Sequence, residues 1–176
     1  NDASYAVLVV YGIMLVQQAL TFKAIRQTAL LFFTIAFAAI FFSTALSLLD
    51  MSEKWNAVIV GLSLICVAWG LLRYSYSTLP GFWFFAGSTS FMGGLFGVLE
   101  GKPLELIYLF VAGVMVYVST VVRSTAMMVV SVLAMLSYIA YFTDKHFVDS
   151  IGWPASLVFL GLVFVGGAAG ALRKKK

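Results

Sequence analysis

The sequence contains very little charge for its length. Charged residues make up 10% of the 176 residues and hydrophobic residues 62%, whereas soluble domains average about 25% charged and about 45 to 50% apolar residues. One soluble core cannot hide this share of apolar side chains. The composition therefore excludes an ordinary water-soluble domain and predicts an integral membrane protein.

Reactive and metal-binding residue types are equally scarce. The chain has one cysteine, Cys66, and one histidine, His146, so an intrachain disulfide and a di-haem site with paired histidines are excluded. The last apolar run has no lysine that could form a retinal Schiff base. No nucleophile with a base or metal set is evident. We expect a protein that is not an enzyme, with no catalytic residue, no cofactor and no metal.

Seven apolar runs approach the roughly 20 residues that a helix needs to cross about 30 Å of hydrocarbon. They cover residues 4–22, 28–49, 55–72, 82–99, 104–122, 124–142 and 153–172. Apart from Glu105, which flanks the turn before the fifth run, they contain no charged residue and no histidine. Helices satisfy the backbone hydrogen bonds inside such runs. We predict an all-α integral membrane protein in which seven transmembrane helices form a single polytopic domain over residues 1–176.

Charges of opposite sign alternate between the gaps of this pattern. All seven acidic residues lie before the first run or in or directly beside one set of gaps, and eight of the eleven basic residues lie in the other set of gaps or in the carboxyl-terminal tail. Because basic residues concentrate in cytoplasmic loops, we predict the N-terminus outside and the C-terminus in the cytoplasm. We expect a bacterial or archaeal cytoplasmic membrane. The net charge of +4 then indicates contact with anionic lipid, not with nucleic acid.

One short similarity suggests an internal repeat. Residues 26–31 read Arg-Gln-Thr-Ala-Leu-Leu and residues 123–128 read Arg-Ser-Thr-Ala-Met-Met. The pattern predicts a 3+1+3 parallel repeat, while a bundle of successive hairpins with similar lengths accounts for the same spacing. Parallel three-span repeats resemble the architecture of seven-span sugar and vitamin facilitators. The sugar carriers have a proline and glutamine pair in their first spans. This chain departs from that pattern, because its Gln17 and Gln18 have no adjacent proline.

Uncharged polar side chains within the spans are the candidate functional residues. An amide or hydroxyl at membrane depth bonds to a neighbouring helix, bonds back to its own helix, or lines a path for a solute. The candidates for a polar path or for helix packing are Gln17, Gln18, Ser88, Ser90, Ser119 and Thr120.

Glycines at spacings of three and four residues predict close helix contacts. The fourth span contains Gly93, Gly94 and Gly97, and the last span contains Gly166 and Gly170. Small residues let helix backbones approach closely. These contacts could form within the chain or with another copy of it.

Two predictions concern the ends of the spans. Phe82 and Trp83 are expected to anchor the fourth span at the inner interface. Residues 143–149 are predicted to form an outer loop, in which Asp144, His146 and Asp149 are solvated rather than bound to a metal.

Two function classes remain. The favoured one is a non-catalytic multi-pass subunit or scaffold that packs against other membrane proteins or copies of itself, as part of an oligomer. The alternative is a facilitator or channel for a small uncharged solute, because the spans lack the ionisable relay of coupled transporters. Convergence of the six polar candidates on one cavity would favour transport, whereas dispersed and individually bonded side chains would favour assembly.

Overall fold

The described part of the chain is entirely helical. A computed structural model describes residues 2–25, 28–74, 79–102 and 105–147. Its helices are α1 (Asp2–Ile25), α2 (Thr28–Leu48), α3 (Glu53–Arg73), α4 (Pro80–Leu99), α5 (Leu106–Val122) and α6 (Thr125–Phe147). Each overlaps one of the first six predicted runs. The seventh predicted span, with Gly166 and Gly170, lies outside the described residues.

Four of these helices are long and apolar enough to cross a membrane. They are α2, α3, α4 and the Thr125–Lys145 part of α6. The apolar stretches Val7–Lys23 of α1 and Leu106–Val122 of α5 are shorter. A helix bonds its backbone groups internally, which is what a segment surrounded by hydrocarbon requires. The fold is therefore compatible with an integral membrane protein.

Helix α6 continues beyond its apolar part. The sequence predicts a loop over residues 143–149, but the helix ends only at Phe147. The Thr143 hydroxyl donates to the Ile139 carbonyl at 2.7 Å, and the Lys145 ammonium lies 5.5 Å from the centroid of the Tyr141 ring, one turn earlier. Hydropathy misplaced this boundary because helical hydrogen bonds are local and do not end where hydrocarbon ends. The loop prediction is wrong up to residue 147, and Asp149 lies outside the described residues.

Two helices end on a residue in the left-handed region. Asp50 after α2 has φ 55°, and Arg123 after α5 has φ 57°. In both turns the next amide N–H reaches back five residues: Met51 donates to the Leu46 carbonyl at 3.3 Å and Ser124 to the Ser119 carbonyl at 3.0 Å. This arrangement satisfies carbonyl groups that a helix end leaves open. Arg123 thus separates α5 from α6, as the sequence predicts.

Packing among the described helices is uneven. Helices α3 and α4 form the most extensive contact, α1 and α2 the next, and α2–α3 and α4–α5 touch over smaller areas. Proline opens α4 at Pro80, where its missing N–H leaves no helical bond unmade. The α3–α4 pair is therefore the centre of this part of the molecule.

Trp83, near the start of α4, is buried within the protein. Only 4% of its surface is exposed, and its ring centroid lies 5.1 Å from that of Phe32 in α2. Phe82 lies at the same distance from Phe32 and remains half exposed. The Trp83 ring therefore fills a contact between α2 and α4, while the position of Phe82 and Trp83 at the inner interface stays a prediction.

The chain divides into two compact units, Asn1–Met135 and Leu136–Lys176. The first contains α1 to α5 and the start of α6. In the second, the described residues are the remainder of α6, where the rings of Tyr138 and Phe142 stack with centroids 6.2 Å apart. All contacts discussed below lie within the first unit.

Candidate functional site: the α3–α4 seam

Glycines bring the backbones of α3 and α4 into direct contact, a region that we name the α3–α4 seam. A Cβ atom added to Gly61 would lie 2.7 Å from the Gly87 carbonyl oxygen, and one added to Gly94 would lie 2.8 Å from the Lys54 carbonyl oxygen and the Val58 nitrogen. These distances are too short for a methyl group. The seam therefore requires glycine at both positions, in accord with the close approach that small residues permit in membranes.

The predicted glycines of α4 do not all belong to the seam. Gly94 packs against α3, and a Cβ at Gly97 would meet the Lys54 side chain at 3.3 Å. Gly93 is exposed, and a Cβ there would meet no atom within 4 Å. The seam uses instead Gly87, seven positions before Gly94, because residues seven apart return to nearly the same face of a helix.

Two serines of α4 have different roles beside these glycines. The Ser90 hydroxyl crosses the seam and donates to the Ala57 carbonyl of α3 at 3.1 Å. The Ser88 hydroxyl is fully buried and donates to the Phe84 carbonyl of its own helix at 2.5 Å. Ser90 therefore links α4 to α3, whereas the buried Ser88 hydroxyl bonds only within its own helix.

A polar cluster joins α3 to α2 at the start of α3. The Asn56 amide nitrogen shares its two N–H groups among the Ser43 carbonyl, the Ser43 hydroxyl and the Ser47 hydroxyl, each 3.1 Å away. The Ser47 hydroxyl in turn donates to the Ser43 carbonyl at 3.0 Å. Asn56 is buried, with 7% of its surface exposed. Since buried amides need partners, this cluster fixes how α3 packs on α2.

Asn56 is not among the six polar candidates predicted from the sequence. Gln17 and Gln18 are predicted because an amide at membrane depth needs a partner. The same argument applies to Asn56, which is the only asparagine within a predicted span.

The two glutamines of α1 differ in their surroundings. Gln17 is exposed, and its side chain forms no hydrogen bond with any described residue. Gln18 is half-buried, and its Oε1 atom is enclosed with no donor in the described part of the chain. Neither side chain reaches the seam or the Asn56 cluster.

The polar candidates of α5 bond back to their own helix. The Ser119 hydroxyl is buried and donates to the Val116 carbonyl at 2.6 Å, while the exposed Thr120 hydroxyl donates to the Tyr117 carbonyl at 2.7 Å. The six candidates thus lie on α1, α4 and α5, and every hydroxyl among them is bonded to a backbone carbonyl. The structure does not bring them together.

No family model, curated protein or solved structure matches this chain.

A buried carboxylate closes the turn between α4 and α5. Glu105 has 8% of its surface exposed, and its Oε1 atom accepts a hydrogen bond from the Gly101 N–H at 2.5 Å. Gly101 has φ +75°, a conformation that glycine adopts without strain. The sequence placed Glu105 beside an outer turn, and its local bond gives it a structural role there.

The arrangement has the chemistry of a packing site. Among the described residues, no group of three or more His, Cys, Asp or Glu side chains could hold a metal ion. The Asn56 Oδ1 atom is buried with no hydrogen-bond donor among the described residues. The hydroxyls of Ser90 and Ser47 and the amide nitrogen of Asn56 bond to backbone carbonyls or to each other. The site therefore holds the three helices α2, α3 and α4 in a fixed register.

Proposed function

We propose that this chain is a non-catalytic subunit or scaffold that assembles in the membrane with other membrane proteins or with copies of itself. The observation that carries the proposal is the amide of Gln17 on the exposed face of α1, which forms no hydrogen bond with any residue of the described part of the chain. A primary amide in hydrocarbon is costly without a partner. A helix from another chain would supply that partner.

The surroundings of Gln17 support this assignment. Val9, Gly12, Ile13, Val16, Gln17 and Leu20 line a shallow groove on α1. Ile13 and Leu20 are more than 60% exposed, so one amide lies in an otherwise apolar strip. Such a strip fits a second apolar helix that carries one polar group, since interhelical hydrogen bonds stabilise helix association in membranes.

The positions of the other polar candidates argue against a solute path. A facilitator needs several polar groups that face one cavity, but the hydroxyls of Ser88, Ser119 and Thr120 bond to their own helices. The Ser90 hydroxyl donates to the Ala57 carbonyl across the α3–α4 seam. We therefore prefer assembly to passage of a small uncharged solute.

The proposed topology has seven spans in a cytoplasmic membrane, with the N-terminus outside. It is supported by the six helices at the first six predicted runs and by the charge pattern of the gaps. In this arrangement Arg73 and Arg123 lie on the cytoplasmic side, and Lys54 and Lys102 lie outside. The 3+1+3 parallel repeat is a further proposal, supported by the similar sequences at residues 26–31 and 123–128.

Photo-crosslinking in native membranes tests the assembly. A benzophenone amino acid at position 13 lies one turn from Gln17 on the same face, whereas one at position 15 faces the opposite side of α1. We expect a protein adduct at position 13 at least several times stronger than at position 15. The mass of the adduct distinguishes a second copy from another membrane protein. Gln17→Leu should weaken the adduct at position 13.

Two results would contradict the proposal. One is the absence of any protein adduct from position 13, which would mean that lipid alone covers this face. The other is saturable uptake of an uncharged solute by sealed vesicles that contain the purified chain, compared with empty vesicles. That second result would favour the facilitator.

A further inference from the structure

A groove of about 380 Å³ lies where the ends of four helices meet. It is lined by Leu72 near the end of α3, Pro80 at the start of α4, Val122 at the end of α5 and Thr125 at the start of α6. Pockets that bind small molecules typically measure about 300 to 1,000 Å³. The groove is therefore large enough for part of a small ligand.

The lining of this end groove has a polar and an apolar part. Arg123, Ser124 and Thr125 form the polar part, in the turn between α5 and α6. The apolar part of the lining consists of Leu72, Phe84, Val122 and Ala126. Phe84 has 1% of its surface exposed and lies one turn inside α4. A ligand that fits both parts has a polar head and a hydrocarbon chain.

The charge of the end groove selects the sign of that head group. The guanidinium of Arg123 forms no ion pair with any described residue, and no acidic side chain is among the described residues that line the groove. Guanidinium binds phosphate with two parallel hydrogen bonds. The groove is thus complementary to an anion, and in particular to a phosphate group.

Hydroxyl groups beside Arg123 add donors for such an anion. The Ser124 oxygen accepts a bond from the Met127 N–H at 3.4 Å, which leaves the hydroxyl proton of Ser124 free to donate. The Thr125 hydroxyl has no hydrogen bond to any described residue. Three consecutive side chains with donor groups therefore line this one groove.

The depth of the end groove matches a lipid head group. Its lining residues all lie within five positions of a helix end, and α3 and α4 are both long and apolar enough to span. Spanning helices end at the level of the head groups, about 15 Å from the membrane centre. A phosphate at Arg123 would lie at that level, with its acyl chains toward the hydrocarbon.

We propose that the end groove binds one anionic phospholipid, with its phosphate at Arg123, Ser124 and Thr125 and one acyl chain along Leu72 and Val122. This lipid site is separate from the assembly proposed through α1. It lies on different helices and does not depend on a protein partner.

Native mass spectrometry of the full chain in mild detergent tests the site. The chain is titrated with equal amounts of phosphatidylglycerol and phosphatidylcholine of the same acyl composition. We expect the first phosphatidylglycerol to bind about fivefold more tightly, the ratio expected for one basic residue beside an anionic lipid. Arg123→Gly keeps the left-handed turn and removes the guanidinium, so it should abolish the preference. Arg123→Asn, which also tolerates this φ, serves as a second variant.

The control is another arginine at the same proposed membrane face. Arg73 lies 5.9 Å from the centroid of the Trp69 ring and does not line the end groove, so Arg73→Gln should keep the preference. Thr125→Val should reduce it in part. The proposal is overturned if both Arg123 variants keep the preference or if Arg73→Gln loses as much. Displacement of the lipid by millimolar inorganic phosphate would also overturn it, because the site would then be one for free phosphate.

Discussion

The backbone of Gly61 in α3 lies directly against the backbone of Phe91 in α4. A Cβ atom on Gly61 would overlap the Phe91 nitrogen and lie 2.7 Å from the Phe91 Cα atom. Hydrocarbon around a helix is as apolar as a helix surface, so burial of apolar groups does not drive two helices together in a membrane. Close backbone contact must therefore supply the packing energy of the α3–α4 seam.

Gly61→Ala should destabilise the fold. The added methyl has no space, and relief requires α3 and α4 to separate, for which the usual cost of overpacking is about 1 to 3 kcal/mol. The free energy of unfolding in mixed detergent and dodecyl sulfate micelles measures the change.

Gly93→Ala is the matched control on the partner helix. A methyl at Gly93 would meet nothing within 4 Å, and replacement of glycine inside a helix contributes about 0.5 to 1 kcal/mol of stability. The two substitutions add the same atom and should change stability in opposite directions. Equal effects would mean that the contact at Gly61 does not limit how closely the helices pack.

The sequence predicts a close helix contact in α4, but it does not indicate which glycines form that contact. Apolar runs define the helices because every backbone bond must be made inside them, and the glycine-rich stretch of α4 predicts close helix contacts. Gly94 lies against the backbone of α3, whereas a Cβ at Gly93 would meet no atom within 4 Å. Gly93 and Gly94 are consecutive glycines at nearly the same depth in α4, yet they lie on different faces of the helix. In a soluble helix the polar face would have shown which one is buried, but a lipid-facing surface gives no such contrast.

Asn56→Leu should weaken the link between α2 and α3. It removes the amide that bonds to Ser43 and Ser47 at similar side-chain volume, and interhelical hydrogen bonds in membranes contribute about 0.5 to 2 kcal/mol. A double-mutant cycle with Ser47→Ala, measured by unfolding in mixed micelles, should give a positive coupling energy.

Ser63→Ala provides the comparison for that cycle. The Ser63 hydroxyl donates to the Val60 carbonyl of its own helix at 2.8 Å, so its loss should change stability by less than about 0.5 kcal/mol. If Asn56→Leu costs no more than Ser63→Ala, the polar cluster does not hold the two helices.

The turn residues Asp50 and Arg123 should both accept glycine. Their φ values of 55° and 57° are unfavourable for residues with a Cβ by about 1 to 2 kcal/mol, and aspartate tolerates them better than arginine. Arg123→Gly should therefore raise thermal stability in detergent, and Asp50→Gly should raise it less. Arg123→Val should lower it, since a β-branched side chain strongly disfavours this region. Equal stability of the glycine and valine variants would contradict the observed turn.

The two ends of α4 should lie on opposite sides of the membrane. The gap before α4 carries one charged residue, the basic Arg73. Between α4 and α5 the chain carries Lys102 and the two acidic residues Glu100 and Glu105. Because short cytoplasmic loops accumulate lysine and arginine, a reporter fused after Arg73 should be active in the cytoplasm, and one fused after Lys102 should be active only outside. Fusions after Lys23 and Asp50 provide the same pair of readings across α2, which has no charged residue. If the Arg73 and Lys102 fusions report the same side while the α2 pair reports opposite sides, α4 does not cross the membrane, and the seven-span topology fails at that helix.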